Sequence, residues 1–200
     1  HLNYLFATLI ALIIMFVGLF LASSLEIREK MYTTHFKNVI TPTSTSLFLL
    51  GNFLTTFIVM VFQLALLFGV AFFFFQEHLV GILGTLALTV ILIIATFILF
   101  GMLIGTLFRS QETGLIASLS IGFLLLFFSN TLLPTEALPS TLYQLSTYNP
   151  FSIAHFLLNR ILLFQQPLAD ALSWIIVLSY WIAGLTLALV TIKKLQSQVN

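Results

Sequence analysis

The chain has 7 Lys and Arg and 6 Asp and Glu among 200 residues. Five of these, Glu26, Arg28, Glu29, Lys30 and Lys37, lie in the single stretch 25–44. On a helix Glu26 and Lys30 stand four apart, in the order that favours a surface ion pair. Met31, Tyr32, Phe36 and Val39 give the same stretch an apolar side, so residues 26–39 read as an amphipathic helix at a membrane surface. Mixed charge on such a helix suits a contact face, with a solvated face beside the membrane as the plainer alternative. It does not suit a reaction. No catalytic constellation exists elsewhere. His1, His35, His78 and His155 have no second His or carboxylate at metal-ligand spacing. Cysteine is absent, which excludes disulfides and thiolate metal sites. No glycine loop of the phosphate-binding kind occurs, so no cofactor is expected and any ATP must be bound by another polypeptide.

The elements that hold this segment are apolar. The chain is 60% hydrophobic and 6% charged, with a mean hydropathy of +1.15. Soluble domains carry about 25% charged residues, too many for this chain to match, and its main solvent is therefore lipid. A net charge of +1 gives no basic surface for nucleic acid. About 20 apolar residues cross a bilayer. On that measure the chain is an all-α polytopic membrane protein forming one transmembrane domain over 1–200. Five spans are expected, at about 4–24, 45–75, 79–108, 114–132 and 171–192. Thr41-Pro42 closes the charged segment and suits the start of the next helix. Gly101 to Gly105 is a small-xxx-small pattern, read equally as a packing seam or a flexible helix end.

Residues 133–168 differ. Pro134, Glu136, Pro139, Asn149, Pro150 and Arg160 interrupt every apolar run there. The pieces left are too short to span, and such lengths suit a re-entrant or interfacial helical pair. Counting Lys and Arg by segment puts Arg28, Lys30, Lys37, Arg109, Lys193 and Lys194 on one side and Arg160 alone on the other. The positive-inside rule makes the first side cytoplasmic. The amino end of this segment is then outside and the carboxyl end inside. The chain begins at His1, not Met, and this sidedness predicts an earlier span upstream.

Ionisable residues are absent from the middle of the spans, since Glu77, Glu112, Glu136 and Asp170 all fall at expected ends. This argues against a proton-coupled carrier, a charged ion filter or an intramembrane lipid transferase. Asn52 and Gln63 interrupt the second span. Interhelical hydrogen bonding is their plainer reading, and lining a pathway for an amphipathic or lipid-like cargo is the other. A non-transporting membrane scaffold or assembly subunit has the same composition.

Two ordered motifs carry a resemblance. Glu-Ile-Arg-Glu-Lys at 26–30, followed by Thr41-Pro42-Thr43-Ser44 and by Gly51-Asn52 early in a long span, resembles the permease subunit of type-2 ABC exporters. Asn52 stands where Lys is usual, and Met31-Tyr32 where Gly-Thr is common. Leu-Pro-Thr-Glu-Ala-Leu-Pro at 133–139, then Tyr148-Asn149-Pro150 and Arg160, is similar to the series between the last two spans of that family. The resemblance implies six spans, the first upstream of His1 and often followed by an extracellular domain. It also implies a second permease subunit, as homo- or heterodimer, and separate ATPase subunits. It makes 26–38 a coupling helix, with Glu26, Arg28, Glu29 and Lys30 contacting the ATPase. It makes 134–165 an outer re-entrant pair. A multi-pass place in the plasma membrane, in contact with its lipid, follows from the same likeness.

Overall fold

The computed structural model describes residues 2–36, 45–79, 83–129, 131, 139–164 and 168–199. Among these residues every regular element is an α-helix. They are α1 (Leu2–Phe36), α2 (Thr45–Leu79), α3 (Leu83–Leu107), α4 (Gln111–Phe127), α5 (Ser140–Tyr148), α6 (Pro150–Phe164) and α7 (Leu168–Val199). Helices are what lipid demands, because each satisfies its own backbone polar groups. Four of them, α1, α2, α3 and α7, contain apolar segments of 24 to 27 residues. At 1.5 Å per residue each is long enough to cross a bilayer. The expected fourth span corresponds to α4, which has only 17 residues. Its N-cap is Ser110, whose Oγ accepts from the Thr113 amide at 3.2 Å. Glu112 in its first turn complements the helix dipole.

The break expected after Ser24 is not there. Residues 25–36 continue α1 without interruption, because they hold no Gly or Pro and include the strong helix formers Leu25, Glu26, Arg28, Glu29, Lys30 and Met31. The charged stretch is thus the last turns of a long helix, not a separate surface helix. Residues 37–44, including Lys37 and Thr41-Pro42, lie outside the described residues. The segment before α7 does hold two short helices, α5 and α6. Asn149 caps the second, its Oδ1 accepting from the Phe151 amide at 3.0 Å, and Pro150 takes the first helical position. Asn149 Nδ2 also donates to the Leu125 carbonyl at 2.6 Å, which fixes α6 to the end of α4.

α3 is the central helix and packs on α1, α2, α4, α6 and α7. Ile93, Ile94, Phe97, Ile98 and Met102 on α3 meet Ile10, Ile14, Met15 and Leu19 of α1 in one apolar core. Small residues allow the two backbones to approach. A Cβ on Gly101 would stand 2.7 Å from the Gly18 carbonyl oxygen and 2.8 Å from that of Leu19. A Cβ on Gly105 would stand 2.8 Å from the Ser23 carbonyl oxygen. The Gly101–Gly105 pattern is therefore a packing seam. Ser23 Oγ and Ser118 Oγ, 2.9 Å apart, tie α1 to α4 beside it. α2 is only narrowly embedded, burying Asn52, Thr56, Met60 and Leu64 along one stripe.

The seam predicts opposite responses to one methyl group. Gly101→Ala forces α1 and α3 apart and should cost about 1–3 kcal/mol, lowering the thermal unfolding midpoint in detergent. Gly184→Ala, where a Cβ meets nothing within 4 Å, should leave the midpoint unchanged or raise it. Equal midpoints for Gly101→Ala and the parent chain would contradict the α1–α3 contact.

Candidate functional site

Glu26 is the most deeply buried charged side chain among the described residues, at 1% exposure. It lies against α3 because Gly105 offers no side chain there. A Cβ on Gly105 would stand 2.6 Å from the Glu26 Cβ. Two partners reach its carboxylate from other helices. Lys193 Nζ of α7 lies 2.5 Å from Oε1, and Asn52 Nδ2 of α2 donates to Oε2 at 2.9 Å. The Asn52 amide also donates to Glu29 Oε2, one turn further along α1.

Lys30 completes the node from the next turn. Its Nζ donates to the Gly105 carbonyl at 2.7 Å, to that of Thr106, and to that of Phe108 at 3.5 Å. These carbonyls end α3 and have no intrahelical donor. An ammonium there satisfies them and complements the negative end of the helix dipole. Gln196 Nε2 of α7 donates to the same Thr106 carbonyl at 3.3 Å. One polar node thus holds α1, α2, α3 and α7 together at one end of the bundle. It contains two carboxylates and two ammonium groups, so its formal charge balances.

The four residues expected to face a partner protein divide. Glu26, Glu29 and Lys30 are engaged within the chain, and Arg28 is exposed. The reason is helical phase: with α1 continuous, positions 26 and 30 fall on its α3 side and position 28 turns outward. Asn52 is an interhelical hydrogen-bonding residue, while Gln63 is exposed on α2. The two lie eleven residues apart on α2. Lys193, which the sequence supplied only as a positive charge after the last span, and Gln196, which it did not single out, belong to the node. The signal that finds them is a Lys and a Glu at the same end of two spans.

At the far end, Pro139 is exposed before α5, and Asn149 and Pro150 begin α6. The Arg160 guanidinium lies over the Phe156 ring, 4.7 Å from its centroid. Pro134 and Glu136 lie outside the described residues. No group of three or more metal-binding side chains occurs among the described residues. What the node provides is mechanical: a charged joint among four helices at the end that also carries Arg28, Arg109 and Lys194.

A family model described as ABC-2 family transporter protein matches residues 2–192. No curated protein and no solved structure gave a significant match.

The joint predicts strong non-additivity. Lys193→Met strands the Glu26 carboxylate and should cost about 3–5 kcal/mol. Adding Glu26→Gln removes the stranded charge and should recover a large part of that loss. Denaturant unfolding of the two single variants and the double variant in detergent gives the coupling directly. Additive losses would show that the two groups do not meet.

Proposed function

The chain belongs to the ABC-2 transporter family, and we propose that it is the permease subunit of an ATP-driven exporter working with a separate ATPase. The observation that supports this best is the joint around Glu26. A subunit driven from outside needs a stiff point of entry for force, and here the charged end of α1 is bonded to α2, α3 and α7. ATPase closure would favour one permease state through differential contacts. A load at that end would then move the four helices as a body. Arg28 is the exposed contact of the set, and Glu26, Glu29 and Lys30 hold it in place.

In this reading the charged end is cytoplasmic, consistent with the basic residues collected there. α4 serves as a short span, the fourth in chain order, and α5 and α6 form the re-entrant pair on the outer side. A second permease subunit completes the pathway in the plasma membrane. The cargo is amphipathic or lipid-like, in keeping with a chain that is 60% hydrophobic.

Charge reversal at Arg28 separates contact from folding. Arg28→Glu should leave the unfolding midpoint of the permease within about 0.5 kcal/mol of the parent, as exposed substitutions do. In proteoliposomes holding the whole complex it should abolish the stimulation of ATP hydrolysis by the permease. Unchanged stimulation, measured as phosphate release, would remove Arg28 from the interface. A permease that co-purifies with no ATPase from its native membrane would favour the scaffold reading.

A further inference from the structure

α6 carries a polar stripe on its buried side. Ser152, His155 and Asn159 are spaced by three and four residues and so share one face. Thr8 lies about 27 Å along α1 from Glu26, at 1.5 Å per residue. His155 joins the two helices. Its Nε2 is 2.9 Å from Thr8 Oγ1 and 2.9 Å from Asn159 Nδ2, and its Nδ1 is 3.5 Å from Thr131 Oγ1. The ring stacks on Phe151 at an interplanar angle of 9°. His155 is 7% exposed.

Where the Asn159 amide donates to Nε2, that nitrogen carries no proton and the ring is neutral. Asn159 Oδ1 is buried and has no hydrogen-bond partner among the described residues. A half-turn of the amide would exchange Nδ2 for Oδ1 and place this acceptor beside Nε2. The Thr8 and Thr131 hydroxyls either donate or accept. The Asn159 amide and the two hydroxyls therefore each suit the protonated form after a local rotation.

Most charged groups on the packed helices lie away from the site. Those of α1 and α4 are Glu26, Arg28, Glu29, Lys30 and Glu112, and α7 has Lys193 and Lys194, all toward the joint end; α7 also has Asp170 in its first turn, at the opposite end. Among the described residues α3 has none. On α5, Tyr143 and Tyr148 are exposed, as is Tyr180 of α7. Arg160 of α6 is occupied over Phe156.

We propose that His155 is a proton-binding site whose occupancy changes how α1 packs on α6. Taking up one proton at Nε2 turns an acceptor into a donor. Asn159 must then rotate, and the Thr8 hydroxyl must accept where it donated. The contact that alters is the one between α1 and α6. This is a site that responds to protons, not a route that carries them.

The test uses the purified full chain in nanodiscs and needs no ATPase, so its outcome is independent of the transport reading. Imidazole resonances are followed by NMR from about pH 4 to 9, a range that brackets histidine titration. One resonance should titrate and be missing in His155→Gln. Asn159→Asp, which places a carboxylate beside the ring, should move its midpoint up by about one pH unit or more. Because the chain has no cysteine, spin labels at Leu9→Cys and Phe164→Cys report the α1–α6 separation. Their distance should change between pH 8 and pH 5 in the parent and stay fixed in His155→Gln. No titration, or a midpoint unmoved by Asn159→Asp, overturns the site. Titration with an unchanged distance overturns the link to α1.

Discussion

A carboxylate buried inside an apolar bundle must be neutralised by its own chain. Glu26 meets that requirement with Lys193 and Asn52, and the geometry of four helices follows from it. Burying an isolated charge costs several kcal/mol, and only close partners offset that cost. The partners come from α2 and α7, the first and last of the long helices after α1. Their positions relative to α1 are therefore not left to apolar packing, which is non-directional. In lipid this matters more than in water, since tails solvate Leu and Phe as well as another helix does.

The joint depends in turn on the seam beneath it. Glu26 lies flat on α3 only because residue 105 is glycine, and the seam continues through Gly101 to Gly18 and Ala22. Close approach also brings Lys30 within reach of the carbonyls that end α3. A bulkier α3 would move those carbonyls and the Glu26 site together. Packing and electrostatics here form one device, with the glycines setting the separation that the charges need.

Much of this was legible in the sequence, and the reasons for the rest are physical. Uninterrupted apolar runs located α1, α2, α3 and α7, and the Asn149-Pro150 pair marked the start of α6. The family likeness rested on the same residues, and the family match over 2–192 agrees with it. The continuity of α1 was not legible, because residues 25–36 are good helix formers whether they extend a span or lie beside it. Nor was the inward turn of Glu26, Glu29 and Lys30. Periodicity finds a buried face by contrast with a polar one, and α1 is apolar on almost every side until Glu26. The role of Lys193 is a pairing between residues 167 positions apart, which no local pattern encodes. The expected span began at 114, three residues after the start of α4, because Gln111, Glu112 and Thr113 are polar. They are the capped first turn of the helix.

α1 is more than the apolar span expected at 4–24. It is one helix of 35 residues, with no proline to bend it. One end is held by charge to α2, α3 and α7, and the other meets α6 through Thr8 and the imidazole. The two fastenings differ in kind. The charged one resists opening, because either group left alone in the bundle is costly. The uncharged one can exchange donors and acceptors at little cost, because each partner has both roles available. A stiff rod fixed firmly at one end and loosely at the other pivots about the firm end. For the proposed transporter, a load on the charged end carries α1 with the body of four helices, and the relative motion left to α1 falls where it meets α6.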